Sequence, residues 1–156
     1  MALAPIQAQE TITVSMVHIF GNENDDRGGL IQSIADEFMA ANPGVVIELS
    51  SPTTDYVELF NAALLAADQG QAPTIVQVEE GLTQLAADSG FFLPIGSVAS
   101  AEQLASLDDL LPVVRDYYTI GGELYSVPFN ASNPLLFYNK GMFAAAGLDP
   151  DRKSVV

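Results

Sequence analysis

Three apolar runs of strand character, separated by segments with helical spacing, constrain this chain more than any other feature. Residues 11–20 (TITVSMVHIF) alternate with a period of two and then turn fully apolar, as expected of a buried strand. Residues 45–49 (VVIEL) and 74–78 (TIVQV) supply two more. Between the first and second, Ile31, Ile34, Ala35 and Phe38 recur at i, i+3, i+4 and i+7, which predicts a helix with one core-facing stripe, stopped by Asn42, Pro43 and Gly44. Between the second and third, Asp55 with Glu58 three residues on has the form of a helix N-cap, and Val57, Phe60 and Leu64 give that helix its buried side. A short helix is expected over residues 81–88, an apolar loop over 90–95, and two short helices within 98–120, with Pro112 in the first turn of the second. The order βαβαβα specifies an α/β fold, a mostly parallel sheet flanked by helices.

Residues 121–148 (GGELYSVPFNASNPLLFYNKGMFAAAGL) break this rhythm. Gly121 and Gly122 make a turn. A short strand over residues 124–127 is stopped by Pro128, which cannot donate to a ladder. Asn133 precedes Pro134 and is pushed out of the α region, so residues 130–134 form a polar elbow. A second apolar strand is expected over residues 135–138, then a short helix over 142–147 with a glycine stop. Two strands joined by a polar elbow describe a passage from one lobe to another. The chain divides accordingly into an N-terminal segment (1–10), an α/β lobe (11–130), and a crossing into an incomplete second lobe (131–156).

At 156 residues the chain is long enough for about one domain with a core, and 49% hydrophobic residues exclude intrinsic disorder. No apolar run reaches the roughly 18 residues of a membrane span. A formal net charge of -15, from 20 acidic and 5 basic residues, gives a field that repels nucleic acid and anionic membranes. The absence of cysteine excludes disulfides, thiol catalysis and thiolate metal sites. Residues 1–10 run from small and apolar to polar, which fits the cleavage end of an export signal lacking its basic and apolar parts, or an ordinary N-terminus.

In open parallel sheets ligands bind beyond the carboxyl ends of the strands. That rule selects the loops at residues 20–26, 50–56, 77–81 and 130–133, all rich in hydroxyl, amide and carboxylate groups, with Phe20 and Tyr56 as aromatic faces and Asn130 at the start of the crossing. The inventory suits a polyhydroxylated ligand, held by hydrogen bonds to its hydroxyls and stacking on its C–H faces. Glu79 and Glu80 are neighbours on an extended segment and point to opposite sides, so at most one enters a cleft. His18, the sole histidine, is expected in mid-strand in a structural role. Asn22, Asn24 and Asp26 alternate like calcium ligands, but Arg27 and Ser33 stand where such a loop needs glycine and glutamate. There is no nucleotide-binding or zinc-protease motif, and no metal or cofactor is expected.

Several segments together resemble the solute-binding proteins of ABC importers, of the carbohydrate-binding type: residues 38–44 (FMAANPG), 72–80 (APTIVQVEE), 127–134 (VPFNASNP), 136–140 (LFYNK) and 143–150 (FAAAGLDP). The pattern is most similar to the glycerol-3-phosphate-binding branch. The resemblance implies a periplasmic-binding-protein-like lobe of type II, a partner lobe beyond residue 156, and a ligand clamped between them. It therefore implies that the chain is an N-terminal fragment. It places ligand contacts at Tyr56, Glu80 and Ser132, with Phe20 and Gly21 where that branch has Trp-His; the phosphate-pairing arginine of the branch lies further downstream. A phosphorylated polyol and a neutral sugar both remain open, the acidic balance favouring the neutral one. The implied partners are a small polyhydroxylated ligand and the permease of the inner membrane, the implied location is periplasmic or extracellular, and the binder is expected to be a monomer without catalysis. Two other readings stay open: a carbohydrate-acting hydrolase using Glu79 or Glu80 with Asp25 or Asp26 about 5 to 10 Å away, and a lone interaction domain without transport.

Overall fold

The computed structural model describes residues 11–130, 132 and 135–149. β1 (Ile12–Val17) is the central strand of a three-stranded parallel sheet ordered β2-β1-β3, with β2 (Val45–Ser50) and β3 (Ile75–Val76) at the edges. The β1–β2 register runs unbroken from Ile12 opposite Val45 to Val17 opposite Ser50. β3 is shorter than the 74–78 run, being paired only through Ile75 and Val76. Two flanking bonds extend it: the Thr74 N–H donates to Ser15 Oγ at 3.0 Å, and the Gln77 N–H donates to the Val17 carbonyl at 2.9 Å.

α1 (Asp26–Ala41) starts where Asp25 accepts the Arg27 N–H, and α2 (Tyr56–Asp68) starts where Asp55 accepts the Glu58 N–H at 2.9 Å. Such caps satisfy amides that the first turn leaves unpaired. The core-facing stripes differ from those read in the sequence. In α1 the buried residues are Gly28, Ile31 and Ala35, while Ile34 and Phe38 stay about half exposed at 50% and 49%. In α2 they are Leu59, Phe60 and Ala63, while Val57 is 53% exposed. Periodicity fixes which residues share a face but not which of them are buried deepest, and small residues, Gly28 and Ala63, are among those buried in each helix.

The core lies under the carboxyl end of the sheet, where Ile19, Phe20, Ile31 and Leu59 pack together with Val17, Leu49 and Tyr56 around them. Phe60, 1% exposed, stacks on Phe92 with ring centroids 5.9 Å apart. Burying a side chain of this size stabilises a fold by roughly 1.5–3 kcal/mol.

Beyond β3 come a 3-10 turn (Glu80–Leu82), α3 (Thr83–Ser89), α4 (Ala101–Ser106), α5 (Pro112–Tyr117) and a hairpin of β4 (Thr119–Ile120) and β5 (Glu123–Leu124). Its two-residue turn is Gly121-Gly122, at φ 62° and 89°, positive at both central positions as a tight hairpin requires. β5 is thus shorter and one residue earlier than predicted. The apolar run at 135–138 forms no strand: Leu135, Leu136 and Phe137 are 74%, 88% and 87% exposed, and among the described residues no strand pairs with them. α6 (Lys140–Ala145) follows, capped by Asn139. The 1–10 segment and most of the elbow lie outside the described residues, and among the described residues no helix is long and apolar enough to cross a membrane.

Candidate functional site

A cavity of about 780 Å³ opens at the β3 edge, next to the carboxyl end of the sheet. Its walls are mainly apolar, from residues such as Phe91, Phe92, Val127 and Phe129, with Tyr56, Gln77, Glu80, Tyr118 and Asn130 as polar points. Four of these polar points are set by different elements. The Asp55 cap fixes Tyr56 as the first residue of α2, and the ladder bond to Val17 fixes Gln77 one residue past β3. Glu80 opens the 3-10 turn, where its carbonyl accepts the Thr83 hydroxyl at 2.7 Å. Tyr118 follows α5, its carbonyl accepting the Tyr125 N–H at 3.0 Å.

Three of these side chains form one cluster. Gln77 Nε2 donates to Asn130 Oδ1 at 3.0 Å and, at the longer distance of 3.4 Å, to the Tyr56 hydroxyl, which also faces Asn130 Nδ2 at 3.4 Å. Burial pushes the Tyr118 phenol above its usual pKa, and the Glu80 carboxylate adds to the shift, followed by Tyr117 and Tyr56. Tyr118 is therefore a neutral hydroxyl beside a carboxylate, able to donate or accept. Together the groups present donors, acceptors and aromatic edges over an apolar floor, which is the chemistry a polyol needs.

The sequence-selected residues separate into two groups. Tyr56, Glu80 and Asn130 share the cavity wall. Phe20 does not reach it: the ring is 7% exposed, with Phe129 at 5.8 Å and the Arg27 guanidinium at 5.1 Å from its centroid. Ser132 is exposed and outside the lining residues. Glu79 also stays off the wall, its carboxylate folded over Gly81, where an added Cβ would lie 3.2 Å from Oε2.

His18 stands just past β1 rather than within it, 3% exposed, its Nδ1 accepting the Phe20 N–H at 3.2 Å. Asp25, a possible second carboxylate for a hydrolase, is engaged in capping α1, and neither it nor Asp26 lines the cavity with Glu80. Among the described residues no cluster of His, Cys, Asp and Glu could hold a metal ion. Tyr118 escaped the sequence reading, and Gln77 entered it only as the first residue of the 77–81 loop, without a role of its own. The signal for Gln77 was its place at the carboxyl end of the third strand, as an amide side chain within an apolar run.

A candidate site at the carboxyl edge of a parallel sheet is the general arrangement of ligand-binding α/β folds, and the sequence narrows the class. The profile of the bacterial extracellular solute-binding protein family matches residues 21–154, and the chain belongs to that family. Among curated relatives, the sn-glycerol-3-phosphate-binding periplasmic protein of Salmonella paratyphi A is 31% identical over an alignment of 156 residues, taking in 97% of this chain and 35% of the relative.

Two solved structures share the fold. The cyclic alpha-maltosyl-1,6-maltose binding protein of Arthrobacter globiformis superposes with a TM-score of 0.62 at 21% identity, over 91% of this chain and 34% of its own. An ABC transporter solute-binding protein of Agrobacterium vitis S4, solved with bound D-mannitol, gives 0.54 at 24% identity, over 90% and 32%. The chain thus spans about a third of the length of the proteins it matches.

Proposed function

We propose that this chain supplies the first lobe of the substrate-binding component of an ABC importer for a sugar or a glycerol-3-phosphate-like polyol, acting outside the cytoplasmic membrane and delivering its ligand to a permease without catalysis. In this reading residues 11–130 form the lobe and residues 131–156 carry the chain across to a second one. Tyr56, Glu80 and Asn130 hold the ligand from this side, and Ser132 meets it at the crossing. Phe20 supports the wall from behind, through Phe129, rather than stacking on the ligand.

The observation that carries the reading is the convergence of Tyr56, Gln77, Asn130 and Glu80 on one apolar-floored cavity at the carboxyl edge of a parallel sheet. Membership of a solute-binding family and the relatives' named ligands support it. A clamp between lobes gives an importer a closed form to recognise, since ligand binding shifts a hinge equilibrium by its differential affinity for the two states. A single face leaves half of the ligand wet and binds weakly.

Titration calorimetry of the chain against sn-glycerol 3-phosphate, maltose and D-mannitol tests the reading. Saturable binding with the ligand recovered intact supports it. Hydrolysis of maltose, or no binding to any of the three at millimolar concentration, overturns it.

A further inference from the structure

Gln77 is polar yet 7% exposed, and it joins three parts of the chain that the sheet ladder does not connect. Its Oε1 accepts the backbone N–H of Ile19 at 3.1 Å. A backbone amide can only donate, so this bond decides which end of the carboxamide faces the core. Nε2 is thereby turned outward, to Asn130 at 3.0 Å and the Tyr56 hydroxyl at 3.4 Å. An amide nitrogen cannot accept, so the Asn130 atom facing it is the carbonyl oxygen, and Asn130 Nδ2 is sent to the same Tyr56 hydroxyl at 3.4 Å. Two N–H donors thus converge on the phenolic oxygen as acceptor, and the one remaining hydrogen-bonding role of that hydroxyl is to donate its own proton.

We propose that Gln77 is a positioning residue that sets the hydrogen-bond polarity of the site, holding the Tyr56 hydroxyl as a donor to the ligand on the same wall that presents Glu80 as an acceptor. The polarity starts from a backbone amide of the core and passes through two carboxamides, so it is built into the fold before any ligand arrives. It selects a ligand that offers an acceptor oxygen at one point and a hydroxyl hydrogen at another. A phosphate ester beside a free hydroxyl has this pattern, and so does a ring or glycosidic oxygen beside one. The inference rests on the reading of this cavity as the ligand site.

The test has one arm that needs no ligand. In the 15N-labelled chain, Tyr56→Phe is expected to shift the side-chain amide resonances of both Gln77 and Asn130 while leaving the Ile19 backbone amide in place. Gln77→Leu is expected to shift the Ile19 amide and the Asn130 side chain. If the Asn130 side-chain amide responds to neither substitution, the relay does not form and the proposal is overturned; should Gln77→Leu fail to fold, Tyr56→Phe alone decides. The second arm is calorimetry with sn-glycerol 3-phosphate and with maltose, which separates a phosphate oxygen from a glycosidic one. Each single variant is expected to weaken binding about fivefold to tenfold, as for one lost hydrogen bond, and the double variant no further than the weaker single. Multiplying losses would mean that Gln77 acts independently of Tyr56, which overturns the proposal. Relay resonances that respond as expected while neither probe binds would overturn the functional reading and leave the structural relay standing.

Discussion

Glu79 and Glu80 are identical in chemistry and adjacent in sequence, yet the backbone gives them different work. Glu80 lines the cavity and adds to the raised pKa of Tyr118, while the Glu79 carboxylate folds over Gly81. Glu80→Gln is therefore expected to weaken ligand binding about tenfold or more, since hydrogen bonds to charged groups are the stronger class. Glu79→Gln should change it by less than about twofold, and equal effects in calorimetry would remove Glu80 from the site. The alternation of an extended segment made this asymmetry legible in the sequence, while the choice of Glu80 as the inward one rested on the family resemblance alone. His18 is a different case. Burial lowers its pKa from 6.5, so below that value the unfolded chain takes up a proton that the folded chain refuses. Its contribution to stability is full above pH 6.5 and is lost as pH falls from there towards the lowered folded value. Urea unfolding at pH 7.5 and at about 5.5 should give a drop that is smaller in His18→Asn; an equal drop in both would assign the pH dependence to carboxylates.

Elements were legible where their signals are local. Asp55 with Glu58 marked the start of α2, and the structure shows the cap bond at 2.9 Å. Asp55→Ala is expected to cost about 1 kcal/mol of stability and also to loosen ligand binding, because the cap fixes Tyr56 as the first helical residue. A stability loss with unchanged affinity would show that the cluster, rather than the cap, positions Tyr56. The rotation of α1 was not legible, because apolar spacing does not register where the preceding loop folds back against the helix. At Gly28 an added Cβ would fall on the Asn22 carbonyl, so the chain of the 21–24 loop passes where a side chain would stand. Gly28→Ala is expected to destabilise by about 1–3 kcal/mol, the usual cost of overpacking, with chemical denaturation as the measurement. No loss would mean that the loop yields freely. The expected strand at 135–138 failed for a related reason: a strand needs a neighbour, and apolar character alone supplies none.

At the scale of the molecule, the parallel sense of the sheet followed from the alternation of strands and helices, since parallel neighbours need crossovers of helical length, whereas the order β2-β1-β3 came only from the structure. The Gln77 relay was not legible, because its individual bonds span up to 74 positions of the sequence and are made by side chains rather than by the ladder. The charge was fully legible, and its consequence is physical. With 20 acidic and 5 basic residues the folded chain repels itself, and the ion pairs Arg27–Asp25 and Arg115–Asp108 engage two of those five in exposed positions where such pairs contribute little. Salt should therefore stabilise this fold. The screening length falls from about 30 Å at 0.01 M to about 10 Å at 0.1 M, and most of the gain in melting temperature is expected in that interval. The same field bears on the ligand. The polar points of the described wall include the Glu80 carboxylate and no basic residue, so an anionic ligand meets net repulsion that salt relieves. Affinity for sn-glycerol 3-phosphate should rise between 0.01 M and 0.1 M salt while affinity for maltose stays flat. A fall for the phosphate ester would instead reveal a cationic contact in its recognition, and would favour the phosphorylated polyol over the neutral sugar as the ligand this lobe is shaped to hold.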